Sequence, residues 1–170
     1  MCSSDLYDYI GAVWPQFPET PVGNGGFSLR SRRLLDAMQD PDAVIRHAED
    51  KCIAITNRRL LEGKHGIRFA PAEVAEQFSV ERTPWHPAFG FHGFFNFAEV
   101  FSAAELRPLL DTIPDSCCSS LDTYDLFDVL LERGARETAA ALLAKARPKL
   151  KLWLRHRRAS RALRVGRQGT

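Results

Sequence analysis

The sequence predicts a mixed α/β fold that gives way to a helical C-terminal region, and three observations carry this. Tyr7 to Val13 alternates and is rich in aromatic residues, the pattern of a strand. Val22-Gly23-Asn24-Gly25-Gly26-Phe27-Ser28-Leu29-Arg30 sets three glycines and an asparagine immediately ahead of an amphipathic stretch. Beyond Ser102 the apolar spacing becomes helical, opening with Ser102-Ala103-Ala104-Glu105, which has the form of a capping box.

The elements follow in order. After the first strand, Trp14-Pro15 to Pro21 is a proline-rich loop leading to the glycines. Glycine tolerates positive φ and close approach of other groups, and asparagine tolerates the left-handed region. The run therefore reads as a tight loop that exposes backbone and enters a helix, with Ser28 or Ser31 as N-cap. Leu34, Leu35 and Met38 give that helix its spacing, and Asp40-Pro41-Asp42 breaks it. A second helix is expected from near Ala48 to Gly63, with Glu49-Asp50 in its first turn. Ile67 to Ala70 reads as a short strand, Ala72 to Gln77 as a helical stretch behind Pro71, and Ser79 to Pro87 as a loop. Phe89 to Phe97, aromatic and punctuated by glycine, suits a buried strand or loop. The helical region is expected to run from Leu106 to Ile113-Pro114, from Tyr124 to Leu131 with Gly134 as its stop, and from Arg136 to Arg164 with an interruption at Pro148.

With 170 residues and a hydrophobic share of 45%, the chain fits one domain, or a half-fold with a helical extension, and is too apolar for disorder. It has no run of about eighteen apolar residues that could span a membrane, and no apolar signal-peptide core. The spacing of Cys2, Cys52, Cys117 and Cys118 makes neither a zinc site nor a disulfide framework. Free thiols point to a reducing compartment such as a bacterial cytoplasm. The opening Cys2-Ser3-Ser4-Asp5-Leu6 reads either as a polar start or as sequence foreign to the domain.

The net charge of +2 conceals an asymmetry. Residues 141–170 hold ten Lys and Arg and no acid, whereas residues 1–140 carry thirteen basic and twenty-one acidic residues, a net −8. The tail reads Lys149-Leu150-Lys151-Leu152-Trp153-Leu154-Arg155-His156-Arg157-Arg158, with Leu150, Trp153 and Leu154 on one helical face. Such a face suits an anionic membrane surface. It suits equally a terminal helix whose cations complement the dipole. The acidic body argues against nucleic acid.

Taken in order, the glycine loop, Glu49-Asp50 and Phe89-Gly90-Phe91-His92-Gly93 resemble the glycine loop, acidic catalytic motif and C-terminal histidine of GT-A-type glycosyltransferases. The fuller match is to an uncharacterised bacterial glycosyltransferase-like domain family. It rests on Tyr7-Asp8-Tyr9-Ile10-Gly11-Ala12, Trp14-Pro15, Gly23 to Arg30, Gly66-Ile67-Arg68-Phe69-Ala70-Pro71 and Phe89 to Gly93, and it covers roughly residues 7 to 95. The resemblance implies a partial transferase domain over 7–100 and a helical extension over 101–170. It implies the C-terminal half of a GT-A-like (Rossmann-like) fold, acting in the cytoplasm or peripherally at the inner face of the membrane.

The same resemblance implies that a sugar passes from a nucleotide-sugar donor to an unidentified acceptor hydroxyl with inversion. Asp50 would be the base and Glu49 its neighbour on substrate. Gly23, Asn24, Gly25 and Gly26 would lie on the donor side, with Trp14 lining the acceptor site. His92 would be a ligand to Mn²⁺ or Mg²⁺. The Asp-X-Asp motif that should share this metal is not in the chain: Asp8 stands between Tyr7 and Tyr9, and Asp5 is too distant from it. The expectation is therefore an inactive fragment without its nucleotide-binding half. Each residue also has a plainer reading: Glu49 and Asp50 as helix-start acids, His92 and Trp14 as core residues, and Arg30, which could contact phosphate, as a solvated helix residue. On those readings the chain is a non-enzymatic module that docks through its basic helix on anionic membrane or nucleic acid.

Overall fold

The computed structural model describes residues 6–46 and 48–165. Met1 to Asp5, most of the questioned opening run, lies outside the described residues. The fold is mixed α/β and divides into two compact units, Met1–His92 and Gly93–Thr170. The division thus falls some residues before the expected boundary near residue 100, because Phe94, Phe95, Phe97 and Phe101 pack on the core of the second unit.

The first unit contains two small sheets. Strand β1 (Tyr9–Gly11) pairs antiparallel with β2 (Ser28–Arg30), with Ile10 opposite Leu29. Ser28 is thus a strand residue, and the glycine loop closes a strand pair before any helix begins. The helix α1 (Arg32–Ala37) starts one step later with Ser31 as N-cap, whose hydroxyl accepts from Leu34 N and donates to Asp8 Oδ1 at 2.7 Å. Asp8 is 5% exposed and also accepts from Arg68 N at 2.8 Å, so one buried carboxylate ties β1, the start of α1 and the 67–70 segment together. That segment joins β1 through a parallel bridge between Tyr9 and Phe69.

The second expected helix is three pieces: α2 (Glu49–Lys51), a π-helical segment (Cys52–Thr56) and α3 (Arg58–His65). Gly63 does not end it. The stop is Gly66, at φ 60°, where a residue with a Cβ would be strained. The buried Asn57 amide secures the π-helical turn, donating to Cys52 O at 2.9 Å and Val44 O at 3.0 Å and accepting from Val44 N at 2.9 Å. Helix α4 (Ala72–Phe78) leads into β3 (Ser79–Val80), which runs parallel to β4 (Gly90–Phe91). Phe89, expected to be buried, is 80% exposed and rests on the rings of Phe27 and Phe78.

The second unit is helical: α5 (Phe97–Val100), α6 (Ala103–Thr112), α7 (Leu121–Glu132), α8 (Arg136–Lys145) and α9 (Trp153–Val165). Ser102 forms the expected capping box with Glu105. Gly134, at φ 73°, turns the chain after α7. Leu126, Phe127 and Leu130 of α7 and Leu142 of α8 form the middle of an apolar core. Cys52, Cys117 and Cys118 are free thiols. Among the described residues no helix is long and apolar enough to cross a membrane.

Candidate functional site

The glycine loop is held from below by the buried strand β1. Tyr9, fully buried, donates its hydroxyl to Gly23 O at 2.6 Å. Burial pushes this phenol up to about 12; Arg30 opposes the rise and the nearby Asp50 charge adds to it. Asn24 N donates to Ala12 O, and Asn24 Oδ1 accepts from Gly26 N at 2.9 Å, a turn in which the side chain mimics backbone. None of the three loop glycines takes a left-handed φ. Their requirement is space. A Cβ on Gly25 would lie 2.6 Å from the Arg30 guanidinium, 2.7 Å from a Glu49 carboxylate oxygen and 3.0 Å from Asp50 Cβ. A Cβ on Gly26 would collide with the His92 ring. The space expected to face a donor is, on the side-chain side of both glycines, filled by the protein's own residues.

Two adjacent glycines therefore gather what the sequence holds far apart. On Gly25 lies the Arg30–Glu49 ion pair with Asp50 beside it. The hydrogen bond from Arg30 holds the Glu49 carboxyl below its usual range. Glu49 is thus committed to a partner. Asp50 Oδ1 accepts from Lys51 N at 2.7 Å, and Asp50 Oδ2 has no hydrogen-bond partner among the described residues. Arg30 is a strand residue over the Tyr9 ring, its side chain only 22% exposed, rather than a solvated helix cation. Its buried Nε has no hydrogen-bond partner among the described residues.

On Gly26 lies His92, whose Nδ1 is 3.1 Å from Glu81 Oε1. The other oxygen of Glu81 accepts from Asn24 Nδ2. Nδ1 is thus the ring nitrogen that faces the Glu81 carboxylate. A chain of hydrogen bonds thus runs from Gly26 N–H through Asn24 and Glu81 to His92.

Trp14 lies elsewhere. It is 4% exposed, in the core under Gly23 and against Phe17. Glu81, Tyr9 and the pairing role of Arg30 were not among the expected site residues. Glu81 stands 57 positions from Asn24, and no local spacing announces such a contact.

His92 and Glu81 bond to each other, and among the described residues no group of three or more His, Cys, Asp or Glu is placed to hold an ion.

One family model matches the chain, described as a protein of unknown function (DUF5672), over residues 2–92. That is more than half of the chain. The chain belongs to this family. The matched DUF5672 region ends at His92, where the first structural unit ends, and it takes in the opening run from Cys2. No curated protein and no solved structure matches.

Proposed function

We propose that the DUF5672 unit carries the acceptor-activating part of a nucleotide-sugar-dependent glycosyltransferase, built as the C-terminal half of a GT-A-like fold. The observation that carries the reading is that the acidic pair lies against Gly25 and the histidine against the adjacent Gly26.

On this reading Asp50 Oδ2 takes the proton of an acceptor hydroxyl while that oxygen forms a bond to the anomeric carbon. The bond from that carbon to the diphosphate oxygen breaks on the opposite face, and the electron pair leaves with the nucleoside diphosphate. The sugar carbon is inverted. Glu49 keeps Arg30 oriented. Glu81 orients His92 on the loop through its Nδ1. The π-helical segment directly after Asp50 fits the reading, since such segments recur at functional sites.

The test is assay of nucleoside diphosphate release from UDP-, GDP- and dTDP-sugars, with and without Mn²⁺, by the full-length protein carrying this unit together with its nucleotide-binding half. Asp50→Asn is expected to lower release by about 100-fold or more. Unchanged release in Asp50→Asn contradicts the proposal.

A further inference from the structure

We propose that the exposed face of the terminal helix is a docking surface for an anionic lipid bilayer. The inference stands on the second unit alone and is independent of the transferase reading. A short 3₁₀ turn (Leu150–Leu152) runs into α9. Leu152 and Ala159 are buried and anchor this segment to its own unit's core, with Leu163 partly buried beside them. The opposite face is apolar and uncovered: Leu150 is 94% exposed, Leu154 65% and Trp153 47%. These three stand at i, i+4 and i+3, hence on one side of the helix.

Cations surround this face, and six of them are not consumed by ion pairs among the described residues. Lys145 and Arg147 pair with Asp115, and Arg155 pairs with Asp125 and Asp128. Lys149, Lys151, Arg157, Arg158, Arg161 and Arg164 enter no ion pair among the described residues. The sequence has no acidic residue after Glu137 to neutralise them. The Arg157 guanidinium lies 4.6 Å from the centre of the Trp153 ring, forming a flat amphipathic unit of the kind that settles at a headgroup boundary.

Charge and apolar exposure together select the occupant. Nucleic-acid phosphates would satisfy the cations and leave Leu150 and Leu154 in water. A second copy on a two-fold axis would cover the leucines and set Lys149, Lys151 and Arg157 against their own counterparts. An anionic bilayer satisfies both, taking the leucines and the indole into the acyl boundary and the cations into the headgroups. At 13 residues α9 lies in the surface and does not cross it.

The test is co-sedimentation of the full chain with vesicles of equimolar phosphatidylcholine and phosphatidylglycerol, against vesicles of phosphatidylcholine alone. The expected result is binding to the anionic vesicles that weakens with added salt, and at least about tenfold weaker binding to the neutral ones. The double variant Leu150→Gln/Leu154→Gln is expected to bind anionic vesicles about tenfold or more weakly, with an unchanged thermal melt, since both positions are exposed. Lys149→Gln/Lys151→Gln is expected to cost roughly fivefold per cation. Equal binding to both vesicle types, or full binding by the leucine variant, overturns the proposal. So does a leucine-dependent dimer in light scattering, or a single-stranded oligonucleotide held more tightly than anionic vesicles by wild type and leucine variant alike.

Discussion

The two units of this chain are organised by different forces. The second unit is secured by helices of ten to thirteen residues around Leu126, Phe127, Leu130 and Leu142. The first has strands of two or three residues and relies on buried polar groups that reach across the sequence. Asp8 joins three segments, Asn57 closes the π-helical turn, and Asn24 links the glycine loop to Glu81. A core that depends on such bonds is sensitive to each one, because a partner left unsatisfied keeps its desolvation cost. The unit that bears the family match is thus the one whose interior is built to position polar groups, and the helical unit offers instead a surface.

The contrast is open to attack from its strong side first. Phe127→Ala, at a position 1% exposed, should destabilise the second unit by about 3–5 kcal/mol, read by urea unfolding followed by far-ultraviolet circular dichroism. A loss below about 1 kcal/mol would mean that the apolar core does not hold that unit.

The next effect belongs to the first unit and depends on pH. An unfolded tyrosine titrates near 10, whereas folded Tyr9 is pushed up to about 12. Between those values the unfolded chain releases a proton that the folded chain retains. The contribution is complete below about pH 10 and is lost as pH rises toward 12, amounting to roughly 2–3 kcal/mol. Tyr9→Phe should remove this alkaline dependence, as followed by denaturant midpoints across that range. An identical alkaline profile in Tyr9→Phe would place its origin elsewhere.

The smallest effects sharpen the comparison by sign. Gly26→Ala puts a methyl group into the His92 ring and should destabilise by about 1–3 kcal/mol. Gly63→Ala, inside α3 with open space at its Cα, should stabilise by about 0.5–1 kcal/mol. Thermal melts of both variants decide the point; equal effects of one sign would show that the loop glycines are not needed for close approach.

Much of the second unit was legible in the sequence because its signals are local. The capping box at Ser102, the stop at Gly134 and the break at Pro148 each act within a few residues. The first unit was legible as a strand and a glycine loop, and less so in its pairing. Ser28 has the chemistry of an N-cap, yet pairing with Gly11 makes it a strand residue, a tertiary preference overriding a local one. Gly63 and Gly66 are equally plausible stops by composition. Gly66 takes the role because Ile67 N reaches Leu61 O and Arg33 donates to the carbonyls of His65 and Gly66. The site was legible as three separate motifs. Glu81, which orients His92, was not, since its contacts with Asn24 and His92 exist only after β3 and β4 have paired.

The central claim is that Gly25 and Gly26 gather the acidic pair and the histidine. Nuclear Overhauser contacts in the isotopically labelled chain test it most directly. The account predicts contacts from the Gly26 α-protons to the His92 ring and from the Gly25 α-protons to the Asp50 β-protons, with the Gly26 α-protons shifted by the imidazole ring current. Absence of both contacts in an otherwise folded spectrum would contradict it and dissolve the site into unrelated surface residues.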